Sequence, residues 1–538
     1  MRHETMDGRR PASGWHCRLA AGDCRIPLSP TRCCDVTGAE FGFIKEVARE
    51  EEDEPDGSTH EEPTDDKTIL LADGSRYNTD VLLADPLLAR AHVWDYPIFD
   101  LERQAGTHML SQMCYRIFHD TGLLETFRIP LQEFFDYFHA LEMGYRDKPY
   151  HNRMHATDVL QAVYYLTSQP IPGFQVLPED DADSDKDEPY RSPERGRRQT
   201  FVAEETYGVM GANIPALELM ALYTAAAMHD FDHPGRTNAF LVTTVSPQAV
   251  LYNDRSVLEN HHAAAAWSLF LTRPEHNFLC HLEKSEFKRF RFLVIEAILA
   301  TDLKRHFEIL AEFTSKCRDS VGTDWRSETD RLLVMEMAIK LADINGPCKD
   351  FPLHYQWTQR IAEEFYEQGD EELALGLPVS PYMDRKNPQL AKLQESFINH
   401  LVGPMCNAYY ESGLMPGIWV ENDGSDESSS CPSDSDAEDE EEDQEAPSAR
   451  RKNVFCIQTE HLMANRARWS DVIKEEQSAR DASASASAAP SAFSDRPEEV
   501  GSESSLQEET ADEMETIAEE RSPSPHSRRF SYDQDSKL

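Results

Sequence analysis

From Leu87 to Trp419 the sequence repeats apolar residues at helical spacing and contains few strand signals. In one run, Asp330 would cap a helix and Gly346 would end it. Its apolar face consists of Leu332, Met335, Ile339 and Ala342. Three further runs have the same period: Glu259–Leu271, Lys288–Leu299 and Gln389–Val402. The pattern predicts an all-α fold, a compact multi-helix domain over residues 85–420.

The negative charge of the chain is concentrated outside that domain. The sequence has 98 Asp and Glu against 53 Lys and Arg, a formal charge of −45. Four segments carry −38 of it: Glu50–Asp66, Pro178–Glu188, Glu421–Pro447 and Asp481–Leu538. Such segments bury too little apolar surface to fold. They predict a flexible acidic leader (1–84), a surface insertion (176–207), a disordered linker (421–453) and a disordered tail (479–538).

A last helical run follows the linker, at residues 454–478. Its apolar positions share one face: Leu462, Trp469, Val472 and Ile473. We expect this helix to pack back on the main domain, and an independent helix that binds a partner is the alternative.

Charge and cysteine use limit the partners and the compartment. The acidity argues against nucleic acid and anionic membrane surfaces as main partners. The eleven cysteines are scattered without a C-x-x-C pair, as in a reducing compartment. No apolar run reaches the ~18–20 residues of a membrane span, and no signal-peptide core opens the chain. We therefore expect a soluble cytoplasmic protein.

Histidines and carboxylates in three separate places suit a catalytic metal site. Imidazole and carboxylate ligands without cysteine leave coordination positions for water. On a helix, His151 and His155 would lie one turn apart and face one cavity. His229-Asp230 ends an apolar helix, and a carboxylate can bridge two cations. Each cluster alone is weak, because such pairs are common on solvated helix faces and aspartate often caps helices.

Taken in order, these residues belong to five motifs. They are Tyr150-His151-Asn152 with His155, His229-Asp230-Phe231-Asp232-His233-Pro234-Gly235, Leu258-Glu259-Asn260-His261-His262, Ala300-Thr301-Asp302, and Leu341-Ala342-Asp343. In order and spacing they resemble the catalytic domain of class I 3′,5′-cyclic-nucleotide phosphodiesterases, a fold of the HD-type metal phosphohydrolases. The insertion between the first two motifs and the runs 235–241 and 343–347 are similar to the type 3, cGMP-inhibited subfamily.

The resemblance implies the roles of the site residues. His155, His229, Asp230 and Asp343 would hold a zinc ion, and Asp230 would also reach a second ion, magnesium or manganese. Two cations would neutralise a cyclic phosphodiester and generate hydroxide to attack it. His151 is predicted to protonate the O3′ leaving group, since histidine changes charge near neutral pH. Three residues would orient ligands and metal waters, or simply be paired polar groups of the core: His233, Glu259 and Thr301.

Base recognition is expected on the run 389–402. Gln394 can pair with a purine edge, and Phe397, three residues on, can stack on the ring. Tyr150 is also assigned to substrate binding. Because the amide can rotate, adenine and guanine are both permitted. The resemblance implies hydrolysis of cAMP and cGMP, with slow cGMP turnover inhibiting cAMP hydrolysis.

The sequence also suggests protein partners and leaves two other functions open. Arg528-Arg529-Phe530-Ser531 fits a basophilic kinase site at Ser531, and we also expect a homodimer. Type 3 enzymes carry long hydrophobic N-terminal segments that this sequence lacks, which makes membrane association doubtful. Another HD-type phosphohydrolase would keep the metal residues but would not need Gln394 and Phe397. A catalytically silent scaffold acting through acidic tails is the third possibility.

Overall fold

The computed structural model describes residues 67–177, 206–318, 322–421 and 452–487. In these ranges the chain is a succession of α-helices, and strands occur only as three short antiparallel pairs. The predicted all-α fold is confirmed. Ser531, residues 1–66, and most of the predicted insertion, linker and tail lie outside the described residues.

The first half of the domain is built around one central helix, α7. The helices up to this point are α1 (Thr79–Ala84), α2 (Ile98–Ala105), α3 (Met109–Asp120), α4 (Leu123–Thr126), α5 (Leu131–Gly144), α6 (Arg153–Ser168) and α7 (Ala216–Met228). From Met220 to Met228 every residue of α7 is buried. A helix that is apolar all round must be covered on every side. Here α7 packs against α3 and α6, and its last turn delivers the chain to the core at His229.

The second half wraps this centre and supplies further helix ends to the same region. Its helices are α8 (Asn238–Thr243), α9 (Pro247–Tyr252), α10 (Val257–Thr272), α11 (Lys284–Leu299), α12 (His306–Arg318), α13 (Glu328–Asp343), α14 (Phe351–Ala374), α15 (Leu390–Phe397), α16 (Gly403–Glu411) and α17 (Ile457–Ser487). A π-helical turn, Ile398–Val402, joins α15 to α16. The side chain of Ser327, rather than Asp330, caps α13 by accepting from the Asp330 amide. The predicted cap was one turn too late, since serine is an equally good cap.

Two of the three strand pairs join the ends of predicted connections, namely the insertion and the linker. The pairs are β1 (Thr68–Leu70) with β2 (Arg76–Asn78), β3 (Ile171–Pro172) with β4 (Tyr207–Gly208), and β5 (Ile418–Glu421) with β6 (Lys452–Phe455). In the second pair Ile171 faces Gly208 across the sheet, so the chain leaves and re-enters the fold at one place. In the third pair Trp419 faces Val454, which brings the flanks of the predicted linker together.

The predicted leader extends too far, because residues 68–84 belong to the fold. The Tyr77 ring is buried and stacks on Phe135 with ring centres 4.3 Å apart. Its hydroxyl lies 2.9 Å from Ser111 Oγ and 2.8 Å from His139 Nδ1. Strands of three residues are too short to show an alternating pattern, so no pattern separates them from the acidic leader.

Helix α17 packs on the domain through four polar contacts, one of them made by a buried tryptophan. Trp469 is buried, and its indole N–H donates to His354 Nε2 at 2.7 Å. Asn465 Nδ2 donates to the Pro347 carbonyl at 2.9 Å and to the Lys349 carbonyl at 2.8 Å. His461 Nε2 lies 2.8 Å from Asp95 Oδ2. The helix runs nine residues past the predicted end at residue 478. Of the helices described, none has the length and apolar composition needed to cross a bilayer.

Candidate metal centre

Three helices that pack against one another bring four ligand residues to one point. His155 lies in the first turn of α6, His229 and Asp230 follow the last residue of α7, and Asp343 ends α13. Asn152 caps α6 by accepting from the amides of Met154 and His155, which fixes where the helix starts. The four ligand atoms lie within 4.8 Å of one another.

The distances inside this cluster are those of groups that surround a small cation. His155 Nε2 and His229 Nε2 lie 3.3 Å apart. Asp343 Oδ1 is 3.1 Å from the first and 3.3 Å from the second. Asp230 Oδ2 is 3.4 Å from both. This Asp230 oxygen is buried and has no hydrogen-bond partner of acceptable geometry in the described ranges.

The protonation of the histidine rings and of Asp343 also indicates a cation site. His229 Nδ1 lies 2.8 Å from the Ala226 carbonyl, which can only accept, so Nδ1 carries the proton. In a neutral ring, the Nε2 lone pair then points into the cluster. Burial raises the pKa of Asp343, but hydrogen bonds and charges from His155 and His229 outweigh it and hold the pKa well below its ordinary value. Burial lowers the pKa of His229, but the charge of Asp230 and hydrogen bonds to Asp230 and Asp343 raise it well above its ordinary value, and a divalent cation would compete with that proton for Nε2. Imidazole nitrogens and an ionised carboxylate at these distances fit such a cation.

A second group extends the cluster from Asp230 towards two more histidines. Potential ligand atoms of Asp230, His233 and His262 also lie within 4.8 Å of one another. The Phe231 carbonyl accepts from His262 Nδ1 at 2.7 Å, so in the neutral ring His262 Nε2 presents a lone pair towards Asp230 Oδ1, 3.6 Å away. His233 Nδ1 accepts from the Gly235 amide at 2.9 Å. The sequence motifs included His262, but its role was not anticipated.

The turn between His229 and His233 is held by charged contacts from outside the cluster. Asp232 adopts a left-handed backbone conformation, with φ of 60°. Its carboxylate accepts from Arg146 Nε at 2.7 Å and lies 2.8 Å from His261 Nε2. These contacts support a conformation that is otherwise unfavourable for a residue with a side chain. They keep His233 on the same side as the cluster.

His151 lies in the turn before α6, not on the helix as predicted. The N-cap role of Asn152 prevents an earlier helix start. The His151 ring stacks on His233 with centres 4.0 Å apart. Its Nδ1 makes a short hydrogen bond with Glu364 Oε1. The other Glu364 oxygen accepts from the amides of Tyr150 and His151 at 3.0 and 3.1 Å.

The buried side chains of His151 and Glu364 carry opposite charges. Burial lowers the pKa of His151, but the charges of Glu364, Asp230 and Asp343 raise it to about 9. Burial raises the pKa of Glu364, whereas the charge of His151 lowers it to about 2. At neutral pH the pair is therefore an imidazolium and a carboxylate.

Glu364 is the residue that the sequence analysis missed. It lies on α14, 213 positions from His151, and no motif includes it. One signal was present, because Trp357, Glu364 and Gln368 share the buried face of α14. A carboxylate on an otherwise buried helix face needs a partner.

Glu259 and Thr301 are both buried, and neither makes a hydrogen bond to the ligands of the cluster within the described part of the chain. Both oxygens of Glu259 accept from Asn238 Nδ2, at 3.2 and 3.1 Å. Burial, followed by the charge of Asp302, raises the pKa of Glu259 to about 8. Thr301 Oγ1 donates to the Ile298 carbonyl at 2.8 Å.

The predicted substrate-binding residues fall into two groups. The Tyr150 ring packs on His155, with centres 4.7 Å apart, and on Trp357 at 5.5 Å. Gln394 and Phe397 both lie on α15, one turn apart, with Gln394 buried and Phe397 partly buried. Over the described ranges, neither a hydrogen bond nor a ring contact joins these two to the metal cluster. A ligand would have to extend from the cluster to α15 to meet them.

Fold and site together define a helical domain with a candidate catalytic metal centre. It has two imidazoles and two carboxylates converging on a cation position, with a paired imidazolium beside them. Such a set leaves coordination positions for water and substrate.

Comparison with known proteins identifies the family. Residues 150–413 match the family model of 3′5′-cyclic nucleotide phosphodiesterase. Human cGMP-inhibited 3′,5′-cyclic phosphodiesterase 3A is 57% identical over 418 residues, which is 73% of this chain. The probable 3′,5′-cyclic phosphodiesterase pde-3 of Caenorhabditis elegans is 49% identical over 351 residues, or 65% of this chain. The chain belongs to the cyclic-nucleotide phosphodiesterase family and resembles its cGMP-inhibited type 3 members, as its motifs predicted.

Structural comparison supports the fold independently. The phosphodiesterase domain of Salpingoeca rosetta rhodopsin phosphodiesterase has a TM-score of 0.54 at 24% identity. The alignment covers 75% of this chain and 96% of that domain. The chain spans 36% of the length of the human relative and 49% of the nematode relative.

Proposed function

We propose that this chain hydrolyses the 3′ phosphoester bond of cyclic nucleotides, converting cAMP to 5′-AMP and cGMP to 5′-GMP. The observation that carries the proposal is the His151–Glu364 pair placed beside four converging metal ligands. Such hydrolysis would end cyclic-nucleotide signals. Similarity to relatives named as cGMP-inhibited supports the further proposal that cGMP inhibits cAMP hydrolysis.

The residues of the cluster suit two different cations. The set of His155, His229, Asp230 and Asp343 matches the nitrogen and oxygen ligands of zinc. Asp230 has a second oxygen directed towards His262, and magnesium or manganese at a neighbouring site would use it. When bound, the cations neutralise the phosphodiester and supply a hydroxide at neutral pH.

His151 is proposed to protonate the O3′ leaving oxygen. Because Glu364 holds Nδ1, the Nε2 proton is the one free to be donated. After donation the ring is neutral, and its hydrogen bond to Glu364 keeps its orientation. His233, Glu259 and Thr301 would orient waters and ligands around the second cation.

Gln394 and Phe397 are proposed to bind the base, and Tyr150 to contact the substrate near the cluster. The amide of Gln394 can present its donor and acceptor in either order. Phosphorylation at Ser531, a homodimer and a cytoplasmic location stay predictions from the sequence.

The test measures 5′-AMP and 5′-GMP release by the purified chain with Mg²⁺, for cAMP and cGMP separately and in competition. We expect both to be hydrolysed and cGMP to slow cAMP turnover. Asp343→Ala should abolish turnover and lower the metal content, and His151→Ala should abolish turnover with metal content retained. Glu308→Ala, an exposed carboxylate on α12, is the control.

Three outcomes would contradict parts of the proposal. Unchanged turnover in Asp343→Ala would overturn the metal assignment. Release of nucleoside from nucleoside monophosphates, without cAMP hydrolysis, would favour another HD-type phosphohydrolase. No turnover of any nucleotide by the metal-loaded chain would favour the scaffold.

A further inference from the structure

Lys340 is a buried cation that no part of the proposed reaction uses. It lies on α13 one turn before Asp343, and only 2% of the residue is exposed. Its Nζ donates to the Ala300 carbonyl at 2.9 Å and lies 3.5 Å from the Asp302 carbonyl. Helix α11 ends at Leu299, so the Ala300 carbonyl needs a partner from outside the helix, whereas the Asp302 carbonyl also accepts from the Arg305 amide at 3.0 Å. Thr301 lies between them, and Lys340 therefore holds the backbone on both sides of Thr301.

Asp302 connects the same turn to a third helix. Its Oδ2 accepts from Ser256 Oγ at 2.7 Å, and its Oδ1 accepts from the Lys304 amide at 2.9 Å. Ser256 directly precedes α10, whose first turn carries Glu259. The Asp302 side chain is thus a link between the residue after Thr301 and the start of the Glu259 helix.

These contacts form one continuous network across the site. It runs from α13, which ends in Asp343, through Lys340 to the turn of Thr301, and from Asp302 through Ser256 to Glu259. Lys340, Asp302 and Glu259 are buried, and Ser256 and Asp343 are partly buried. Removing the ammonium would leave the Ala300 carbonyl without this donor and would take away the positive charge that faces the carboxylates of Asp343 and Asp302.

We infer that Lys340 and the Ser256–Asp302 pair are positioning residues for the second divalent cation. They set the distance of Thr301 and Glu259 from the carboxylates of Asp230 and Asp343. The inference rests on the proposed two-cation function. A lysine that merely caps α11 would contribute to global stability without affecting the affinity for that cation.

The test is direct Mn²⁺ binding to zinc-loaded protein, measured by electron paramagnetic resonance, together with zinc content and melting temperature. Lys340→Met should weaken Mn²⁺ binding by about tenfold and leave zinc content unchanged, as expected for partners of metal-site residues. Ser256→Ala should weaken it by about threefold, since it removes one of several contacts. Lys288→Met, on the exposed face of α11, should bind Mn²⁺ like the unmodified chain. In hydrolysis, the Mg²⁺ concentration for half-maximal activity should rise, with KM for cAMP unchanged at saturating Mg²⁺.

A Lys340→Met protein that melts earlier but binds Mn²⁺ normally would overturn the inference. If Lys340→Met does not fold, Ser256→Ala decides, and unchanged Mn²⁺ affinity in that variant has the same consequence. Failure of the proposed function has a different signature. In that case the unmodified chain binds zinc and Mn²⁺ but releases no 5′-AMP.

Discussion

Four histidines of the site differ in role because each ring has a different hydrogen-bond partner. Carbonyl acceptors fix the Nδ1 protons of His229 and His262, and their Nε2 lone pairs face the cluster. An amide donor makes Nδ1 of His233 the acceptor. A buried carboxylate holds His151 as the imidazolium. Ligand and acid roles thus depend on the neighbours of each ring, and the same side chain serves both.

Glu364→Gln should shift the pH dependence of catalysis. The charge of Glu364 is the largest of the charges that raise the pKa of His151, so it extends the pH range in which an acid at this position stays protonated. Removing the charge lowers this pKa, and the loss of kcat/KM on raising the pH should begin at lower pH. At pH 8 we expect a decrease of about tenfold or more, within the usual range for general acid catalysis.

The measurement is the pH profile of kcat/KM for cAMP. Glu363→Gln is the matched control, because Glu363 is the exposed neighbour of Glu364 and pairs with Arg385 instead. Parallel profiles for Glu364→Gln and the unmodified chain would show that Glu364 does not set the His151 pKa.

For single residues, the sequence could identify the metal ligands but not all of the residues that contact the site. The ligands His155, His229, Asp230 and Asp343 stand in spaced motifs, and the fold brings them within 4.8 Å. Glu364 has no motif, because its contact with His151 joins positions 213 apart. The helical placement of His151 was wrong since one capping side chain decides where α6 begins.

Among the elements, long periodic helices were predictable and short strands were not. Helices such as α10, α11 and α13 repeat their apolar residues over several turns, which sequence alone reveals. The pair β1 and β2 has three residues in each strand and is held by the single buried ring of Tyr77. Its place in the fold depends on tertiary contacts with α3 and α5, which no local pattern records.

Trp469→Ala should destabilise the whole domain through α17. The Trp469 ring is buried against Phe351 and Tyr355, and its N–H bonds to His354. Replacing a buried tryptophan by alanine costs about 3–5 kcal/mol in free energy of unfolding. Urea denaturation followed by circular dichroism measures it, with exposed Asp471→Ala on the same helix as control.

A loss below about 1 kcal/mol would mean that α17 contributes little to the folded domain in solution, because exposed sites usually change stability by less than that. It would favour the alternative of an independent helix that binds a partner.

The net charge of the whole chain differs from that of the part that carries the site. The described residues hold 33 Lys and Arg against 46 Asp and Glu, so they account for −13 of the formal −45. Two divalent cations would reduce that further. An anionic substrate therefore meets a nearly balanced domain, although the composition of the entire chain suggests strong repulsion.

This partition predicts a weak salt dependence of catalysis. In the full chain at saturating Mg²⁺, kcat/KM for cAMP should change by less than about threefold between 25 and 250 mM NaCl, since screening matters most for large uncompensated fields. A variant with the acids of 438–443 replaced by glutamine or asparagine should match the unmodified chain at low salt. If the acidic segments repelled the substrate, kcat/KM would instead rise more than about tenfold with salt, and the neutralised variant would be faster at low salt. The rise would appear in KM and leave kcat unchanged, because repulsion acts on the approach of the nucleotide and not on the bound complex.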